Sequence, residues 1–291
     1  MPHPDYNYVA SVAVASDGPA EATLRGGPSG TRRSRDGAKL AHTDADARYW
    51  HEEFKREAPR VDFHVLLVEP TRLDVLVALY NASLAVEAFS HESDWGGGQV
   101  NFAFAGHGSE AGDLILRDGG ISAADMLEAI LAPARENRVK RRVAVVLDSC
   151  HAARVLTDFV VDGRQKTDFL LIDGFAASMH DELAWELDGQ GHGALTFGMA
   201  AKTELLSELL RGTALRNAGS IASVHERAAK AATLLTERDQ TPVEVINGWH
   251  IEAHGGGHID LDADLSVPVV LSALVRARAA EPNTLIPINS S

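Results

Sequence analysis

The 291-residue chain has a single cysteine, Cys150, and no run of 18 or more apolar residues. One thiol cannot close an internal disulfide, which points to a reducing, cytoplasmic setting. A membrane-spanning helix needs a longer apolar run than any present, so no membrane partner is expected. The opening stretch, MPHPDYNYVASVAVASDG, lacks the basic-then-apolar layout of a secretory signal. Basic side chains are scarce, 27 Lys and Arg against 41 Asp and Glu, for a net charge of −14. Phosphate repulsion then argues against nonspecific binding of nucleic acid, whereas a basic peptide or partner suits the charge. No glycine-rich phosphate loop follows a strand, since Gly96, Gly97 and Gly98 come before one and read as a turn.

What is present is a globular balance, 45% apolar and 23% charged residues. Apolar runs at 8–15, 61–68, 100–105, 143–147, 169–176 and 243–246 read as six strands. Helical spacing appears at 40–58, with Asp44 as N-cap, and at 71–89, with Thr71 as N-cap. In the second of these, Leu73, Leu76, Val77, Tyr80 and Leu84 lie on one face. Further helices are expected at 122–131, 194–210 and 221–235, and residues 113–117 read as a hairpin arm. Val- and Ala-rich strands alternating with helices predict an α/β fold with a mostly parallel sheet. No repeat or linker divides the chain, so residues 1–291 read as one domain, with a core of about 6–250 and a C-terminal extension over 251–291.

Ligands of such sheets sit at the carboxyl ends of the strands. Two of the expected strands end there in Gly106-His107-Gly108 and Asp148-Ser149-Cys150. A thiol with a pKa of about 8.5 needs a partner to reach its nucleophilic form near neutral pH, and an imidazole supplies one. His107 and Cys150 are therefore the candidate catalytic pair. The backbone N–H groups of Gly108 and Cys150 are candidate oxyanion donors. A cysteine after an apolar run is by itself more often a small core residue, and a lone Gly-His-Gly is more often a turn. The signal is the pair at two strand ends.

The ordered set of motifs resembles the caspase–metacaspase superfamily of cysteine peptidases, particularly its bacterial members. Its members carry an apolar strand ending in His-Gly and a later one ending in Asp-x-Cys. Here the two residues are 43 apart, close to the roughly 50 quoted for caspases. Leu40-Ala-His-Thr-Asp-Ala-Asp-Ala47 resembles the start of the family's first helix. Ala177-Ser-Met-His-Asp-Glu-Leu-Ala-Trp-Glu186 with Gly191-His-Gly-Ala-Leu-Thr-Phe197 is similar to the segment after its fifth strand. The resemblance implies a three-layer α/β/α sandwich around a six-stranded, mostly parallel sheet. It implies a Cys-His endopeptidase, and small bacterial relatives often serve as effectors of regulated cell death or anti-phage defence. It also gives Asp148 the role of lining the first specificity pocket, with Asp181 as a second candidate. An acidic pocket favours Arg or Lys before the scissile bond, because a carboxylate makes charge-assisted bonds to a guanidinium. Ala152 and Ala153 depart from the family's usual Ser-Gly after Cys-His.

The basic loop Thr31-Arg-Arg-Ser-Arg-Asp-Gly37 offers Arg33 and Arg35 as candidate processing sites, and Arg164 is a third. The segment between Cys150 and the fifth strand reads as too short for a processed linker. An upstream activating protease or regulator is a further expected partner. No cofactor is expected. Calcium is known in some metacaspases, but Asp260, Asp262 and Asp264 do not match a calcium loop. His250, Glu252, His254 and His258 could ligate a metal, yet their irregular spacing reads as a glycine-rich surface turn. His151 reads as structural, and Glu186 equally as pocket or structural carboxylate. Three other classes stay open: a non-catalytic scaffold, another thiol enzyme such as an amidase or acyltransferase, and a small-molecule binding module in which Cys150 is merely packed.

Overall fold

In a computed structural model, residues 8–18, 40–57, 63–90, 98–133, 141–166, 170–187, 190–201, 205–206, 209–210, 222–237, 239–246, 250–253 and 257–260 are described. Candidate processing sites Arg33 and Arg35 lie outside them, as do Asp262, Asp264 and residues 261–291.

The six expected strands all form: β1 (Tyr8–Ser16), β2 (His64–Val68), β3 (Gly98–Gly106), β6 (Arg141–Ser149), β7 (Leu170–Ala176) and β10 (Val243–Ile246). Between them, β4 (Asp113–Leu116) and β5 (Gly119–Ser122) make the hairpin begun by the expected arm. The two-residue strands β8 (Glu186–Leu187) and β9 (His192–Gly193) make a second small pair. The main sheet has eight strands rather than six, in the order β12-β11-β10-β7-β6-β3-β1-β2. From β2 to β7 every neighbour is parallel, and β10 turns antiparallel to β7. The two additional strands are β11 (His250–Ala253) and β12 (Gly257–Asp260). They are the segment expected to be a surface turn, and they pair antiparallel beside β10. Among the described residues the sheet therefore continues past residue 250 as far as Asp260. Short polar strands with histidine and glycine carry weak period-two signals, which is why they escaped the sequence reading.

Helices cover both faces, giving α/β/α layers. Along β1, Ala10, Val12 and Val14 enter one apolar layer while Ala13 enters the other. Likewise Val143, Val145 and Leu147 of β6 face one side and Val146 faces the other. This alternation follows from the two-residue period of a strand. On the first face pack α2 (Arg72–Ser90), α3 (Ala123–Leu131) and α4 (Ala152–Lys166). On the second pack α1 (Thr43–Glu57), α5 (Ala194–Ala200) and α6 (Ala222–Leu235). Each fully buried aliphatic side chain, such as Leu79 or Leu147, stabilises this arrangement by about 1.5–3 kcal/mol.

Local signals explain most helix starts. Thr71 and Asp74 cap α2 reciprocally: Thr71 N donates to Asp74 Oδ2 at 2.8 Å and Asp74 N to Thr71 Oγ1 at 3.3 Å. Ser122 and Asp125 do the same for α3. Helix α1 begins at Thr43, so Asp44 lies inside its first turn rather than at the cap. Helix α5 stops at Ala200, because Ala201 is extended at ψ 141°. Helix α4 fills the segment read as too short for a processed linker, and Arg164 sits in its last turn. The apolar face of α2 picked out by spacing is largely the outward one. Leu73, Val77, Tyr80 and Leu84 are exposed, while Val75, Leu79, Ala82 and Val86 enter the core. A helix apolar on nearly all sides has no unique face by periodicity, so the choice is made by the sheet it meets.

Charge enters the core at Arg141, 1% exposed, whose Nη2 lies 2.6 Å from Glu87 Oε2. Removing one member of a buried pair strands the other, so Glu87→Ala is expected to cost about 3–5 kcal/mol in urea unfolding. A loss under about 1 kcal/mol would show that the pair is not holding α2 to the start of β6.

Candidate active site

The site begins with strand register. Ser16 of β1, Gly106 of β3 and Ser149 of β6 are aligned neighbours. The next residues on β3 and β6 are His107 and Cys150, so the chain carries both to the same carboxyl rim on adjacent strands, which lie about 4.8 Å apart. The approach is tight. A Cβ on Gly108 would meet the Cys150 carbonyl oxygen at 2.0 Å, and one on Gly106 would meet the Ser16 carbonyl at 2.3 Å. Only glycine permits those contacts. Beyond the histidine, Ile115 N donates to the His107 carbonyl at 2.9 Å, and Gly108 bridges Leu114, which ties this turn to the β4–β5 hairpin. His107 and Cys150 are both buried, at 7% and 3% exposure.

Cys150 occupies a strand–turn–helix corner. His151 adopts φ +55°, and α4 starts at Ala152. A non-glycine residue with positive φ costs energy and persists only where its surroundings demand it. The demand is visible in the loop after β7. Ser178 Oγ donates to the Ser149 carbonyl at 3.0 Å, and Ala153 N donates to the Ser178 carbonyl at 2.9 Å. His151 N donates to the Glu182 carbonyl at 2.9 Å, and His151 Nδ1 lies 2.9 Å from the His180 carbonyl. The structural reading of His151 fits these bonds. Glu182 is itself anchored by Thr241, whose N and Oγ1 approach its carboxylate at 2.7 and 3.0 Å. Ala184 N then donates to Cys150 Sγ at 3.4 Å. The thiol is thus covered by the 177–185 segment.

Beside the thiol lies a small acidic pocket. Asp148, Asp46 and Glu186 line it with Gly106, Ala184 and Trp185. Asp148 precedes Cys150 by two residues and points to the face of α1 and α5. Its Oδ2 accepts from Thr196 N at 3.0 Å and Thr196 Oγ1 at 2.7 Å. A Cβ on Gly193 would sit 2.6 Å from the same oxygen, so that position also demands glycine. Asp46 accepts from Gly193 N at 2.9 Å, and its other oxygen lies 2.6 Å from His192 Nδ1. Glu186 accepts from Ala41 N and His42 N at 3.0 and 2.9 Å, holding the entry to α1 over the pocket.

Burial, and then the neighbouring Asp46 carboxylate, push Asp148 up to about 7. Burial also raises Asp46, against the opposing His192 hydrogen bond, and that same bond raises His192. The pocket therefore stores crowded negative charge that a cation would relieve. Asp181 does not join it. Its side chain is 59% exposed and lies 3.9 Å from the His180 ring nitrogen. Arg164 is half-buried within α4, a poor shape for a protease substrate, which must be extended. Among the described residues no group of three or more His, Cys, Asp or Glu is gathered as a metal site, and no helix is long and apolar enough to cross a membrane.

Asp46, Thr196, His192 and Glu182 were missed as site residues. Asp46 left one signal, a carboxylate at helical spacing from Tyr49 and Trp50 on the inward stripe of α1. Thr196 and Glu182 fall in the segments 191–197 and 177–186 that carry the family resemblance, but no role attached to either residue there, since their partners lie dozens of residues away.

A carboxylate with a raised folded pKa binds its proton in the native state where the unfolded chain does not. The native state thus loses stability as pH rises from about 4 to about 7. Asp148→Asn is expected to flatten that slope and to raise stability at pH 8 by on the order of a few kcal/mol. Urea unfolding at both pH values checks it, and an unchanged slope would contradict the assignment. No known protein-family model matches the chain, and no curated protein matches it either.

Proposed function

We propose that the protein is a cysteine endopeptidase of the caspase–metacaspase type that cleaves after Arg or Lys. The observation that carries this reading is the β3–β6 register, which sets His107 beside Cys150 on one rim with an acidic pocket next to the thiol. In this mechanism His107 accepts the Cys150 proton, and the thiolate attacks the scissile carbonyl to form the C–S bond. The N–H groups of Gly108 and Cys150 stabilise the oxyanion. Collapse breaks the C–N bond, and His107 returns the proton to the leaving amine. Water, activated by the same imidazole, then hydrolyses the thioester and restores the thiol. A thiolate at Cys150 also stands at the positive end of α4. Asp148 and Asp46 receive the guanidinium or ammonium of the substrate. The resemblance alone extends the reading to a regulated bacterial effector in cell death or anti-phage defence.

A second reading has one observation in its favour. Cys150 is 3% exposed and packs with Phe175, Ala177 and Leu195, as it would in a non-catalytic scaffold. Iodoacetamide labelling of the native protein separates the two. Labelling no faster than unfolding supports the scaffold, and faster labelling supports the enzyme.

Fluorogenic peptides ending in Arg, Lys or Asp test the main reading, with Cys150→Ala as control. Cleavage after Arg and Lys, lost in that variant, is the expected result. Cleavage after Asp, or none at all, would sink it. Asp148→Asn and Asp46→Asn should each raise KM for the Arg peptide by about tenfold or more, roughly the worth of one charge-assisted hydrogen bond. Asp181→Asn should leave it within about twofold, as suits an exposed charge. For the wild type, KM should fall between about pH 6 and about pH 8 as Asp148 ionises around 7. Self-processing is expected at Arg33 or Arg35 rather than inside α4 at Arg164. Intact masses identical to those of Cys150→Ala would remove it.

A further inference from the structure

A chain with only 6% aromatic residues places Tyr49, Trp50, Phe54 and Phe175 around one chamber of about 440 Å³. It lies on the sheet face between α1 and α6, over β6, β7 and β10, away from the rim that carries His107 and Cys150. Its size falls within the roughly 300–1,000 Å³ of small-molecule sites. Its chemistry is organised. Phe175 and the His225 ring stack at 5.1 Å and 21°, making a flat wall. Trp50 meets Tyr49 edge-on at 5.2 Å, which orients a second ring on the opposite side. The charges around it come in matched sets. Arg142 pairs with Asp173, Arg56 with Glu53, and His225 Nδ1 lies 2.6 Å from Glu244 Oε1. Apolar walls hold water poorly, so a chamber this size gains by taking an apolar body. Balanced donors and acceptors select a polar edge of both kinds rather than a net charge.

We propose that this chamber is a second binding site, for a small planar heterocycle with both hydrogen-bond donors and acceptors on its edge. The chamber also reaches the acidic pocket. Trp50 lines it and donates from Nε1 to Thr196 Oγ1 at 3.1 Å, and that hydroxyl donates to Asp148 at 2.7 Å. Phe175, from its wall, packs in the same cluster as Cys150. A ring seated against Trp50 therefore acts on the group that receives the substrate's cation. This coupling, unlike the binding itself, rests on the peptidase reading.

Saturation-transfer NMR and thermal shift with indole, quinoline and adenine test the site. At least one probe should bind saturably with a Kd of about 1 mM or below. Ala144→Phe, which fills the floor from β6, and Val224→Trp, which fills it from α6, should abolish binding. Each variant is first checked for native circular dichroism, and two different walls guard against one variant misfolding. No saturable binding by any probe, or binding retained in the folded filled variants, would overturn the proposal. Coupling is read as the Cys150 alkylation rate by an arginyl chloromethyl ketone relative to iodoacetamide, which ignores the acidic pocket. A saturating probe should change that ratio about fivefold or more, and Trp50→Phe should remove the change. An unchanged ratio overturns the coupling. If the peptidase reading itself fails, the arginyl reagent shows no advantage over iodoacetamide even without probe, and the binding measurements still decide the site.

Discussion

The pairing of β3 with β6 is the constraint on which the rest depends. It aligns Gly106 with Ser149 and so decides which residues follow at the rim. Strand faces alternate with a period of two, so a slip of one residue would turn Asp148 from the α1 side into the apolar layer of α2, α3 and α4. The same slip would separate His107 from Cys150. Glycines at 106 and 108 make the correct register reachable, because a side chain at either would collide with a carbonyl of the neighbouring strand. Large apolar residues then make it preferred. Phe102 and Phe104 on β3, with Val143, Val145 and Leu147 on β6, share one core layer in this alignment, which a one-residue slip would undo.

The site spends some of the stability which that core supplies. Asp46, Asp148 and Glu186 crowd together in a chain that is already strongly acidic. Burial disfavours their ionised forms, and hydrogen bonds only partly compensate. Thr196 holds Asp148, Gly193 N and His192 hold Asp46, and two backbone amides hold Glu186. The positive φ at His151 is a second cost, carried by the bonds from Ser178 and Glu182. Local rules are broken at one place, and the support for them is gathered from distant segments.

The cover over Cys150 and the chamber behind it belong to one mechanical unit. The 177–185 segment bonds to the thiol through Ala184 and to the distal loop through Glu182 and Thr241. Helix α5 joins the acidic pocket through Thr196 and the chamber through Met199.

Strand and helix existence was legible wherever apolar runs were long. All six expected strands form, and the Thr71 and Ser122 caps stand where their spacing placed them. Helix α4 was not among the expected helices, although Val155, Leu156, Phe159 and Val160 carry its apolar spacing. Which face of α2 turns inward was not legible, because both faces are apolar. The sequence by itself determined the alternation of strands and helices and the two strand ends that carry His107 and Cys150, since these follow from local periodicity. Only the tertiary structure decided that Asp46 rather than Asp181 joins Asp148, that Ala184 covers the thiol, and that β11 and β12 extend the sheet. Those outcomes depend on residues far apart in the chain meeting at close range, and no local pattern encodes such a meeting.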